Sequence, residues 1–294
     1  MKIAKTHILS RKRSNPEIKF ADHELTSFGG LIVFQNLFQS INLTQKLGEA
    51  CRKLDCKTSH FYTHGKLFEC VILHLILGFR NLRDLDFYRD DPLVKQTLRL
   101  KRLPSVPTMS RMLSNIDEDT LANHHALNRD LVLDRLKEEN PARVTADFDG
   151  SVQSTTRHAE GTAVGFNKKK KGARSYYPLF CTIAQTCQIF KFHHRPGNVH
   201  DSNCALEFVS ECINQIREAL PKAIIEVRMD SAFFSDAMID LLEELGVEYT
   251  ISVPFERFVE LKAMIEERVF WFFTKGAKGK ETRYFEKRWK PKSW

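Results

Sequence analysis

The sequence predicts a mixed α/β domain preceded by a helical region. Three observations carry this expectation. From Thr26 to about Asn140, apolar residues recur at helical spacing with few strand signals. After Pro141, short β-type runs replace them. The order of those runs, three strands and then helix, strand, helix, strand, implies which neighbours pair antiparallel and which parallel.

In the helical region, "SFGGLIVFQNLFQSINLTQKLGEACRKL" and "HGKLFECVILHLILGFRNLRDLDFYR" carry the periodicity. The most hydrophobic run, Cys70 to Phe79, is half the length of a membrane span and is expected to be a buried helix. Pro104 and Pro107 then break the chain. Ser105 or Thr108 can cap a new helix that presents Ser110 and Arg111. A short helix flanked by Lys101, Arg102 and Arg111 is compatible with helix-turn-helix DNA binding, and equally with a basic-surfaced linker.

Beyond Pro141, strands are expected at Arg143–Asp149, Tyr176–Thr186, Gln188–His194, Ile224–Asp230 and Glu248–Val253. Helices are expected at Ser202–Ala219 and Ser235–Leu245, the second stopped by Gly246 as its C′ residue. A long basic loop and then a tight turn join the first three strands, which should form an antiparallel meander. Strands four and five each follow a helix and should be parallel. That order is the order of the ribonuclease-H-like fold. In the last forty residues a helix and two aromatic strands around "KGAKGK" are expected, with too few partners to bury their aromatic faces.

Composition is that of a globular protein, and the net charge of +8 suggests an anionic partner. Placement says more than the sum. No acid falls between Glu160 and Asp201, while Lys168, Lys169, Lys170, Lys171, Arg174, Lys191 and Arg195 all do. A solvated loop explains "NKKKKG" alone, but not the long absence of acids on both sides. Seven cysteines without C-x-x-C spacing, and a basic start without an apolar run, point to a reduced, cytoplasmic-type protein with Cys70 and Cys181 as small core residues.

Two carboxylates stand out. Asp149 closes the first strand and Asp230 the fourth, strands that this topology makes parallel neighbours about 4.8 Å apart. A buried or strand-terminal Asp needs a partner, and two ionised ones at close range repel unless a cation lies between them. Each alone is most simply a turn-capping residue; together they favour a site for a hard divalent ion such as Mg²⁺ or Mn²⁺. Asp147, on the same face as Asp149 by alternation, is a rival or a group supporting the site from behind. His193, His194 and His200 lie near Cys204 without ligand spacing. Ser151 and Ser231 have no His placed to activate them, and no G-x-x-x-x-G-K-[ST] loop occurs.

The series "DFDGS", "RHAEGTAVGFNKKKKGARSYYPLF", "HHRPGNVHDSNCALEFV" and "VRMDSAFFSDAMIDLLEELGVEYTISV" resembles the DDE transposases of bacterial insertion sequences. The helical block with "LHLILGFRNLRDLDFYRDD" and "LKRLPSVPTMSRML" is also similar to their N-terminal region. The resemblance implies a helical DNA-binding region over 1–140, a catalytic ribonuclease-H-like domain over 141–254 and the start of a β-rich insertion over 255–294. It implies two divalent ions held by two Asp and one Glu, with Asp149 and Asp230 as the first two. It implies cutting and rejoining of double-stranded DNA at terminal inverted repeats, in the bacterial cytoplasm at the nucleoid, with no membrane and with a homodimer in the DNA complex. The third acid of that family sits on a later helix, a context that neither Glu281 nor Glu286 matches, since both fall in the expected insertion strands. The sequence-level expectation is therefore a truncated, weakly active or inactive chain. Glu226, Asp201 and Glu160 are the first places to look for a replacement ligand. A non-catalytic DNA-binding remnant and a stand-alone nuclease of the same fold are the competing readings.

Overall fold

The computed structural model describes residues 26–54, 61–155, 158–165, 167, 170–199, 204–275, 279 and 281–291. By its internal contacts the chain divides between His124 and His125 into two compact units.

The first unit is helical: α1 (Leu31–Ser40), α2 (Leu43–Ala50), α3 (His64–Ile76), a 3₁₀ turn at Leu82–Phe87, α4 (Pro92–Leu98), α5 (Val106–Ser114) and the start of α6 (Glu118–Glu139). The helical run from Ser27 to Leu54 forms two helices, because Asn42 takes a left-handed conformation (φ 52°) between α1 and α2. Such a conformation suits a short polar side chain and stops a helix. The Cys70–Phe79 run lies mostly in α3, with Cys70, Leu73 and His74 buried, and Gly78 (φ 87°) follows the helix end. His74 is satisfied on both ring nitrogens, by Tyr88 Oη at 2.6 Å and the Asn81 carbonyl at 3.1 Å. Ser105 caps α5, as its position before Val106-Pro107 suggests, and accepts from the Thr108 amide.

The second unit is built on a five-stranded sheet in the order β6-β5-β1-β7-β8. The strands are β1 (Arg143–Gly150), β5 (Leu179–Ile183), β6 (Gln188–His193), β7 (Ile224–Met229) and β8 (Glu248–Ile251). β1, β5 and β6 pair antiparallel; β1 with β7 and β7 with β8 pair parallel. This is the mixed, ribonuclease-H-like strand order expected from the sequence. Helix α7 (Ala205–Ala219) crosses from β6 to β7, and α8 (Asp236–Glu244) from β7 to β8. Gly246 (φ 59°) follows α8 as its C′ residue, its amide bonded to the Glu243 carbonyl.

Alternation decides what each face of the sheet does. Val144, Ala146 and Phe148 of β1, Leu179, Cys181 and Ile183 of β5, and Ile225, Val227 and Met229 of β7 all enter one apolar core. α7 lays Ala205, Phe208, Val209, Cys212, Ile213 and Ile216 onto it at helical spacing, and α6 adds Val132 and Leu136. Each large apolar side chain withdrawn from water contributes roughly 1.5–3 kcal/mol.

One expected strand is corrected. Tyr176–Thr186 is not continuous: Pro178 has no amide to give to a ladder, and the Tyr177 amide bonds to the Arg195 carbonyl at 2.8 Å. The part before the break, β4 (Arg174–Tyr176), joins a separate small sheet with β2 (Gln153–Ser154) and β3 (Ala163–Val164), in the order β2-β4-β3. The basic loop is thus partly a sheet of its own. Gly197 of the "RPGN" turn presses against it, its amide on the Ser175 carbonyl at 2.9 Å; a Cβ at Gly197 would come within 2.6 Å of that oxygen. Beyond α9 (Val259–Glu266), strands β9 (Phe272–Lys275) and β10 (Glu281–Tyr284) form the expected antiparallel pair, with Phe272 and Phe273 exposed. Glu281 is in β10, whereas Glu286 lies after it and is not a strand residue.

Ile213 is fully buried at the centre of the α7 interface. Ile213→Ala should lower unfolding free energy by about 2–5 kcal/mol, read from the midpoint of a urea titration, with the slope unchanged.

Candidate active site

The site is set by the register of β1 on β7. Phe148 pairs with Met229, both pointing into the core. The next residue on each strand therefore points to the opposite face, and those residues are Asp149 and Asp230. Both are exposed. Asp149 is the last but one residue of β1, before Gly150. It stands opposite Phe180 of β5, which also faces away from the core.

Asp230 differs in detail from the sequence expectation. β7 stops at Met229, and Asp230 is the N-cap of a 3₁₀ turn (Ser231–Phe233), its Oδ1 accepting from the Ala232 amide at 3.0 Å. The turn-capping role considered for it is thus realised. Among the described residues its Oδ2 accepts no hydrogen bond.

Two residues earlier on the same face, Asp147 pairs with Arg228 directly across the β1–β7 step. The guanidinium donates twice, Nε to Oδ1 at 2.5 Å and an Nη to Oδ2 at 2.7 Å. The carboxylate in turn raises the Arg228 pKa, mainly through that hydrogen bond. Both oxygens of Asp147 are thus engaged by a cation. Arg228 escaped the sequence reading, although alternation from Asp230 places it on this face. Further along the face, Thr145 donates to Glu226 at 2.9 Å and Arg143 pairs with Glu248. Glu226 is thus a strand-ladder residue, four positions from the end that carries Asp230.

The candidate DNA-contacting residues fall into three groups. Lys170, Lys171 and Arg111 are exposed. Lys168 and Lys169, like Asp201 and His200, lie outside the described residues. Arg174 is half-buried and turned inward: its Nε donates to Thr162 Oγ1 at 2.9 Å and an Nη to the Thr162 carbonyl, holding β4 on β3. Asn167 donates to Ser154 Oγ at 2.7 Å and accepts from the Lys170 amide at 2.9 Å. Glu160 offers its backbone carbonyl to Tyr176 Oη at 2.6 Å. His193 has a lowered pKa, first from burial and then from Arg195, Lys191 and His194. Among the described residues no three His, Cys, Asp or Glu side chains cluster as a metal site, and no helix is long and apolar enough to cross a membrane.

The Asp147–Arg228 pair is about half exposed, so water screens it. Asp147→Asn should cost less than about 1 kcal/mol of stability in a thermal or urea melt.

The model of the family described as Transposase DDE domain group 1 matches residues 10–294. Among solved structures, the catalytic domain of Mos1 mariner transposase is similar at 12% identity, over 50% of this chain and 72% of that one, with a TM-score of 0.27. A piggyBac transposase synaptic complex with hairpin DNA is similar at 11% identity, over 89% of this chain and 62% of that one, with a TM-score of 0.40. A pre-cleavage Mos1 transpososome is similar at 12% identity, over 83% and 86%, with a TM-score of 0.27. No curated protein matches the chain.

Proposed function

The chain belongs to the transposase DDE domain group 1 family, and on that premise we propose that it carries out divalent-metal-dependent cleavage and transfer of DNA strands at the terminal inverted repeats of a mobile element. The observation that supports this reading is the β1–β7 register, which ends on Phe148 and Met229 and makes the exposed Asp149 and Asp230 the next residue on each side, at the carboxyl ends of parallel strands.

The donors suit a hard cation. Both are carboxylates, Asp230 keeps an oxygen outside its turn, and Mg²⁺ or Mn²⁺ takes one or two carboxylates with water and phosphate oxygens completing its shell. Such an ion would offset the repulsion between the two acids and polarise a phosphodiester held against them. Asp147, kept on Arg228, would stay out of the ligand set and hold β1 against β7 just behind it. Lys170 and Lys171 would meet the phosphate backbone, whereas Arg174 would act through the shape of the loop. Two acids complete one hard-ion site, and a two-metal site takes a third. A site held by these two acids alone is expected to bind Mn²⁺ weakly.

Metal binding tests the site independently of turnover. Titration of Mn²⁺ followed by electron paramagnetic resonance should show a weak site in the parent that is lost in both Asp149→Asn and Asp230→Asn and kept in Asp147→Asn. Loss only in Asp147→Asn would move the site to the other carboxylate of β1. Robust cleavage of an end-bearing duplex that survives Asp149→Asn would overturn the assignment.

The DNA reading has its own check. Affinity for a duplex should fall steeply with salt, because each neutralised phosphate releases counterions. Replacing Lys170 and Lys171 together by Ala should flatten the slope of log K against log salt by about 2. An unchanged slope would make the lysine turn a solvated loop.

A further inference from the structure

The first unit contains a cavity of about 570 Å³ between the segment before α3 and the segment joining α4 to α5. Its lining combines two features that seldom coincide by packing alone. One wall is aromatic: Phe61, 84% exposed, and Tyr62, whose Oη donates to the Arg102 carbonyl at 3.0 Å and so ties the two walls together. The other wall is cationic: Arg99, Lys101 and Arg102 are all exposed, and among the described residues none of them is ion-paired. Among the described residues no acid lines the cavity. Also in the lining, Ser105 Oγ and Thr108 Oγ1 lie 2.9 Å apart at the start of α5, a pair of hydroxyls that can donate or accept.

An exposed phenylalanine facing a concave, unpaired positive wall is poorly explained as core or as a solvated surface. A double helix presents a convex phosphate ridge and stacked bases, and offers nothing to Phe61. A single unstacked nucleotide offers both parts: a π-face for the ring and a phosphate for the guanidinium and ammonium groups. The volume also falls in the range of small-ligand sites, roughly 300–1,000 Å³. We propose that this cavity seats one unpaired nucleotide of single-stranded DNA, with its base on Phe61 and Tyr62 and its phosphate on Arg99, Lys101 and Arg102. The inference rests on the reading of the chain as DNA-binding. It adds a site for an unpaired nucleotide in the unit that does not hold Asp149 and Asp230.

Fluorescence anisotropy of labelled oligothymidylate and of a labelled duplex of equal length tests it on the full chain. Phe61→Ala should weaken oligothymidylate binding by about fivefold or more while duplex affinity stays within about twofold. Phe61→Trp should restore it, since a larger ring keeps the stacking face. Lys101→Ala should lower the salt slope for oligothymidylate by about 1. Because Phe61 is exposed, these variants should fold as the parent does, which circular dichroism checks. Unchanged oligothymidylate affinity in Phe61→Ala, with duplex binding intact, would overturn the cavity assignment and leave the DNA reading standing. Failure of the parent to bind either DNA would overturn both.

Discussion

The pairing of Phe148 with Met229 in adjacent parallel strands is the constraint on which the candidate site depends. Both side chains enter the core beneath α7, so neither strand can slide by one residue without turning an apolar row out to solvent. That locked register sends Asp149 and Asp230 to the opposite face at the same level. Hydrophobic packing on one side of the sheet therefore positions charge on the other. The acids need no contact with the core to be placed by it.

The open face then sorts its charges by position along the strands. Near the amino ends, Arg143, Thr145, Glu226 and Glu248 satisfy one another, and Asp147 is held by Arg228. At the carboxyl ends Asp149 and Asp230 come next after the paired Phe148 and Met229. Asp230 also shows that a capping role and a ligand role need not exclude each other, since its cap uses one carboxylate oxygen and Ala232.

Positive charge divides in the same way between structural and available groups. Arg174 reads in sequence as one more cation of the lysine run, yet its guanidinium is spent on Thr162 within the small β2-β4-β3 sheet. Lys170 and Lys171 are exposed beside it. Planar, multidentate Arg suits backbone clamping, and the flexible ammonium of Lys suits a phosphate ridge that must be met loosely.

The sequence by itself determined the strand order of the sheet, the helical character of the first unit, the burial of Cys70 and Cys181, and the placing of Asp149 and Asp230 near the ends of neighbouring strands. These are legible because periodicity, turn residues and connection lengths are local, and parallel pairing follows from helical crossovers. The break at Pro178, the partnering of Asp147 by Arg228 and of Arg174 by Thr162, and the meeting of Phe61 with Arg99, Lys101 and Arg102 were decided only in the tertiary structure. Asp147 and Arg228 are 81 positions apart, and Phe61 is about forty from the cations it faces. Period-2 alternation gives the face on which a side chain lies, but register and packing choose its partner. Between residues so distant in the chain, that choice is made by the core that brings them together.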